Sequence, residues 1–189
     1  MGTKTFYMKR NILVFGSISG IIVGTLMALS LFWANQGHDI KEGMLLGYAS
    51  MVIALSLIYV GVRNFRDKYN EGVISFAKAM KLALGITLIA STIYVAVWLV
   101  EFYVFIPDFM DKYTASHIQQ IKSSGLSAVA LQKQVADMES MRDAYDHNPL
   151  VVVLYTYLEI LPVGFIISLI TSLLLKRKQR PSLTGPVVA

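Results

Sequence analysis

The stretch LVVVLYTYLEILPVGFIISLITSLLL, residues 150–175, carries a single ionisable side chain, Glu159, and decides the fold class. A helix crossing the hydrocarbon core needs about 20 predominantly apolar residues, because the core is about 30 Å thick and each residue rises about 1.5 Å. Three further runs meet that requirement, Ile12 to Ala34, Met44 to Val62 and Leu82 to Ile106, each with at most one ionisable residue. The whole chain of 189 residues is 55% hydrophobic and 15% charged, with a mean hydropathy of +0.57. A soluble domain of that size cannot bury so much apolar surface, so lipid is the expected solvent. The expectation is an all-α membrane protein, a single membrane domain over residues 1–189 with four transmembrane helices.

Lys4, Lys9 and Arg10 precede the first run as they would precede a secretory signal, but the run is too long and no small-x-small cleavage site follows it. It reads as a retained helix. Phe6 stands where a myristoylation site needs Ser or Thr.

Basic residues set the expected orientation. Of the seventeen, the N-terminal segment holds Lys4, Lys9 and Arg10, the stretch 63–81 holds five, and the tail holds Lys176, Arg177, Lys178 and Arg180. By the positive-inside rule both termini and the middle loop are cytoplasmic, with the loop near residues 36–42 and the long segment of about 107–149 outside. Basic residues that sit beside the ends of apolar runs speak for topology rather than for nucleic acid. In the long segment Phe109, Tyr113 and Ile121, then Leu131, Val135, Met138 and Tyr145, recur at three- and four-residue spacing on either side of Gly125. This pattern predicts an extracytoplasmic helical hairpin between the third and fourth membrane helices.

Trp33, Tyr48, Trp98, Phe102, Tyr103, Tyr155 and Tyr157 lie toward the expected outer ends of the helices. An interfacial aromatic belt accounts for them, with an aromatic binding box as the competing reading. Gly16, Gly20 and Gly24 recur every fourth residue, leaving a stripe on which another backbone can approach, inside the bundle or between copies. A pore-lining role is the rival.

Two carboxylates, Glu101 and Glu159, fall inside apolar runs, where a charge facing lipid is costly. Both are expected in the outer half of the membrane. Pro162 leaves the Leu158 carbonyl without its helical donor and lets the helix kink beside Glu159. Glu159 is expected to turn into the bundle, either as a proton- or cation-responsive site or as a tyrosine-bonded structural group.

No cysteine exists, so thiolate chemistry and disulfides are excluded. The histidines His38, His117 and His147 show no ligand spacing, and no metal, cofactor or catalytic motif is expected. In the middle loop Ser75 is placed to cap the third membrane helix.

The segments Gly61 to Phe76, Ser91-Thr92-Ile93-Tyr94 with Trp98, Phe105-Ile106-Pro107-Asp108-Phe109-Met110-Asp111-Lys112-Tyr113, and Tyr157-Leu158-Glu159-Ile160-Leu161-Pro162-Val163-Gly164 before Leu173 to Lys178 resemble the family of unknown function DUF4199. The resemblance runs from about Asn11 to Lys178. It implies a short multi-helix protein of the bacterial inner membrane, and it implies no activity. The residues themselves favour a non-enzymatic protein acting through membrane lipids, a second copy or a membrane-protein partner. The alternative is a small transporter or channel subunit using Glu159 and Glu101.

Overall fold

A computed structural model describes residues 2–35, 40–123 and 125–177. Helices account for nearly all of them: α1 Gly2–Asn35, α2 Ile40–Leu55, α3 Leu57–Tyr69, α4 Phe76–Val100, a π-helical turn Glu101–Phe105, α5 Phe109–Lys122, α6 Ala128–His147 and α7 Pro149–Leu175. Four segments are long and apolar enough to cross a membrane: Lys4–Trp33, Leu45–Tyr69, Phe76–Phe105 and Pro149–Leu175. The chain is therefore an all-α protein with the helices of a membrane protein.

The helices outrun their apolar cores. The first starts at Gly2 rather than near residue 12, the second span reaches Tyr69 rather than Val62, and the third starts at Phe76 rather than Leu82. Lys, Arg and Asn interrupt hydropathy without breaking a helix, because their propensities lie within about 0.7 kcal/mol of alanine. The middle loop consequently shrinks to residues 70–75. There Glu71 (φ 58°) and Gly72 (φ 73°) take left-handed conformations that turn the chain, and Ser75 Oγ accepts from the Lys78 N–H at 3.3 Å to start α4.

Between α2 and α3 the chain breaks at Ser56. Hydroxyls compete there for helical carbonyls: Ser56 Oγ donates to the Ile53 carbonyl at 2.6 Å, and Ser19 Oγ of α1 donates to the Ala54 carbonyl at 2.6 Å. Such back-bonding bends helices. At the end of α4 the Ile106 N–H reaches the Glu101 carbonyl at 2.9 Å, a five-residue step that marks the π-helical turn. Between α5 and α6, Gly125 (φ 71°) makes the turn and Ser127 Oγ accepts from the Ala130 N–H at 3.4 Å. The two helices pack against each other. Asn148 Oδ1 accepts from the Leu150 N–H at 3.0 Å, and Pro149 occupies the first helical position of α7.

The chain divides into two compact units, Met1–Ile93 with Leu161–Ala189, and Tyr94–Ile160. The boundaries fall within α4 and α7.

In the first unit α1 packs on α2 and α3, and helices meet where side chains are missing. A Cβ on Gly16 would stand 2.6 Å from Ile89 Cβ, one on Gly20 2.8 Å from Ile93 Cβ and 3.2 Å from Ala90 Cα. Gly61 and Gly85 are equally tight against Ile86 and Ile12, at 2.7 Å each. Gly24 is buried as well. Thr87 Oγ1 and Ser168 Oγ are hydrogen-bonded at 3.0 Å, and Ser172 Oγ donates to the Ser168 carbonyl at 2.7 Å. Two backbone hydrogen bonds, Ile74 N–H to Arg177 O at 3.1 Å and Arg177 N–H to Ile74 O at 2.9 Å, clasp the end of α7 to the 70–75 loop.

Candidate functional site

The second unit gathers its polar chemistry around Tyr145 of α6. Its side chain is buried and its hydroxyl accepts from the Trp98 Nε1–H at 2.9 Å. Phe102 lies edge-on to the Tyr145 ring at 5.2 Å, Trp98 edge-on to Phe109 at 5.0 Å, and Tyr155 lies 6.2 Å from Tyr145. Burial pushes the Tyr145 hydroxyl above its ordinary pKa, and the Glu159 carboxylate and Tyr103 push the same way. Hydrogen bonding with Trp98 and with the Thr156 hydroxyl partly opposes this. Tyr145 is therefore neutral at physiological pH and ties α6 to its surroundings as a hydrogen-bonded group.

This arrangement corrects the aromatic belt at two positions. Trp98 and Phe102 are buried, whereas Trp33, Tyr48, Tyr103 and Tyr155 are exposed. A hydropathy reading cannot separate the two groups, because both sit at the same helix ends. What distinguishes Trp98 is Tyr145, 47 residues away in the hairpin.

Glu159 also departs from expectation. It was expected to turn inward, yet it is an exposed residue of α7, beside Leu154 and Leu158, which are exposed by 66% and 68%. Among the described residues it forms neither a hydrogen bond nor an ion pair, and the Tyr145 hydroxyl is the polar group that senses its charge. The helix is apolar nearly all round, so periodicity carried no signal of facing. Pro162 sits inside α7, which runs as one helix from Pro149 to Leu175. Glu101 opens the π-helical turn and is half-buried.

Gly16, Gly20 and Gly24 lie on buried positions of α1, the first two against α4. His117 rests beside Tyr113, ring centres 4.5 Å apart, and His147 Nδ1 lies 3.2 Å from Asp143. His38 falls outside the described residues. Among the described residues no three His, Cys, Asp or Glu side chains converge as metal ligands.

On the first unit, sequence reading missed a mixed face of α1. Phe6, Lys9, Arg10, Leu13 and Val14 line one shallow open groove. The spacing that reveals it, three and four residues, straddles the boundary between polar and apolar sequence, where a search for apolar runs stops.

No curated protein and no solved structure matches the chain. Residues 14–177, most of the chain, match the family model described as Protein of unknown function (DUF4199), and the chain belongs to that family.

Proposed function

We propose that the chain is a non-enzymatic protein of the bacterial inner membrane, with both termini cytoplasmic, that acts through contacts with lipids and with a second copy or another membrane protein. The carrying observation is the outward Glu159. It lies ten residues into the last span, about 15 Å from that helix's start, on a surface otherwise made of apolar side chains such as Tyr155, Leu158, Pro162 and Ile166. A carboxyl facing hydrocarbon at that depth costs several kcal/mol by most scales. A polar group from another chain removes that cost, so the position marks a contact surface. The hairpin of α5 and α6, on this reading, lies outside the membrane.

The test compares Glu159→Gln with Glu159→Leu in the full chain purified in mild detergent, reading mass by light scattering. The Gln variant should keep the parent's assembly and the Leu variant should lose it. Parent, Gln and Leu proteins all running as the same monomer, or proteoliposome ion uptake that depends on Glu159, would overturn the contact reading in favour of transport.

A further inference from the structure

The mixed face of α1 is set by what holds the opposite side of that helix. Asn11 is buried at 4% exposure, its side-chain amide donating to the Tyr7 carbonyl at 3.0 Å while its oxygen accepts from Asn64 Nδ2 at 2.8 Å. The Tyr7 ring stacks on Tyr69 at 4.4 Å. These contacts fix the rotation of α1, and with it Phe6, Lys9, Arg10, Leu13 and Val14 turn outward. Phe6, Leu13 and Val14 are exposed by 62%, 56% and 45%, and Lys9 and Arg10 are exposed as well. Positions 6, 9, 10, 13 and 14 form one face about 12 Å long.

Charge along this end of the unit is unevenly compensated. Lys4 pairs with Glu71 at 2.7 Å, Arg66 with Asp67 at 2.7 Å and Arg63 with Asp67 at 3.5 Å, while Lys78 Nζ donates to Asn70 Oδ1 at 2.7 Å. Lys9 and Arg10 have no acidic partner among the described residues. They stand between an aromatic ring on one side and two aliphatic side chains on the other.

The geometry points to a binding site for one anionic phospholipid on this face, with the headgroup phosphate held by Lys9 and Arg10 and an acyl chain lying along Leu13 and Val14. The two cations on flexible stems reach a phosphate while their methylenes cover apolar surface. The aliphatic pair lies on the span side of the cations, where a phospholipid's chain continues from its phosphate. A free anion would use the cations and leave Leu13 and Val14 uncovered. A lipid uses both. This site deepens the lipid-contact part of the function proposed above and rests on the chain being membrane-embedded.

Native mass spectrometry of the detergent-purified full chain, titrated with phosphatidylglycerol or with phosphatidylcholine, reads the site directly. Phosphatidylglycerol should bind tighter. A cation near an anionic surface is worth roughly fivefold in affinity, so Lys9→Gln and Arg10→Gln should each weaken it about fivefold and the double variant about thirtyfold. Lys68→Gln with Lys81→Gln, two other exposed cations of the same unit, should change it far less. Equal losses in the two double variants would show a diffuse charge effect and overturn the site, as would equal binding of the two lipids. Displacement of phosphatidylglycerol by millimolar inorganic phosphate would assign the affinity to the free anion. Should the double variant not fold, the single variants decide. Failure here leaves the Glu159 test untouched, and failure of that test leaves the lipid titration intact.

Discussion

The two units are held together by opposite means. In the first, helices touch where side chains have been removed: Gly16, Gly20, Gly61 and Gly85 receive isoleucine or phenylalanine side chains from neighbouring helices, and the polar groups between them are small hydroxyls such as Thr87, Ser168 and Ser172. In the second, contact is made by large rings, by one indole-to-phenol hydrogen bond and by ion pairs on the hairpin, Arg142 bridging Asp111 and Asp146. The first is how helices associate in lipid, where dispersion contact must replace the hydrophobic drive. The second relies on large ring area and on directional hydrogen bonds and ion pairs, a mode of contact open to a segment rich in aromatic and charged residues. One chain thus carries two packing chemistries.

The sharpest way to break this contrast is to give the first unit a side chain it lacks. Gly20→Leu places atoms against the Ala90 backbone, which cannot swing aside as a side-chain tip can. The expected cost is about 3 kcal/mol, at the upper end of ordinary overpacking. It should appear as a lower melting temperature in detergent, and an unchanged melt would remove close approach as the organising feature of this unit.

A smaller effect is expected from Trp98→Phe in the second unit. The ring contacts largely survive, but the buried Tyr145 hydroxyl loses the Trp98 N–H and is left with Thr156, at about 1 kcal/mol. Near-ultraviolet circular dichroism should report a loosened tyrosine environment, while Gly20→Leu should leave that signal unchanged if the units are fastened independently.

Smaller again is Asp111→Asn, which removes an ion pair between half-exposed groups across α5 and α6. Such pairs are worth at most about 1 kcal/mol and fade with salt. Proteolysis at the Gly125 turn, compared at low and high salt, should accelerate modestly at low salt only.

The weakest expected effect belongs to Glu71, exposed and hydrogen-bonded to the Lys4 ammonium, which holds its carboxyl below the ordinary range. A depressed carboxyl adds stability above its unfolded pKa and loses that contribution as pH falls through the lower folded value. Glu71→Gln should therefore differ from the parent at neutral pH and converge with it in strong acid, a trend that pH-dependent melting can follow.

Sequence carried the architecture because length and hydropathy are local. Four spans, a hairpin turned at Gly125 and a cap at Ser75 are each written within a few consecutive residues. Facing was less legible. Glu159 lies in a helix apolar on all sides, so nothing local distinguishes inward from outward. Trp98 reads as an interfacial ring until Tyr145 is brought beside it. Gly61 sits at the polar end of its apolar run, with Arg63 and Asn64 close behind, and nothing local shows that it is a buried contact point for Phe15 and Ile86. In each case the deciding partner lies on another element, and single-sequence periodicity cannot reach across that distance.

The clasp between Ile74 and Arg177 has a mechanical meaning. A force drawn through the C-terminus meets two backbone hydrogen bonds joining α7 to the loop before α4, reinforced by Arg66 Nη1, which donates to the Leu175 carbonyl at 3.5 Å. Those bonds must part before the last turn of α7 can unwind. A helix end in water usually frays one residue at a time, whereas this one is latched and yields in a single step. Extraction of the chain from its C-terminal end, as by a processive membrane protease, would therefore begin with a distinct rupture rather than a gradual peel.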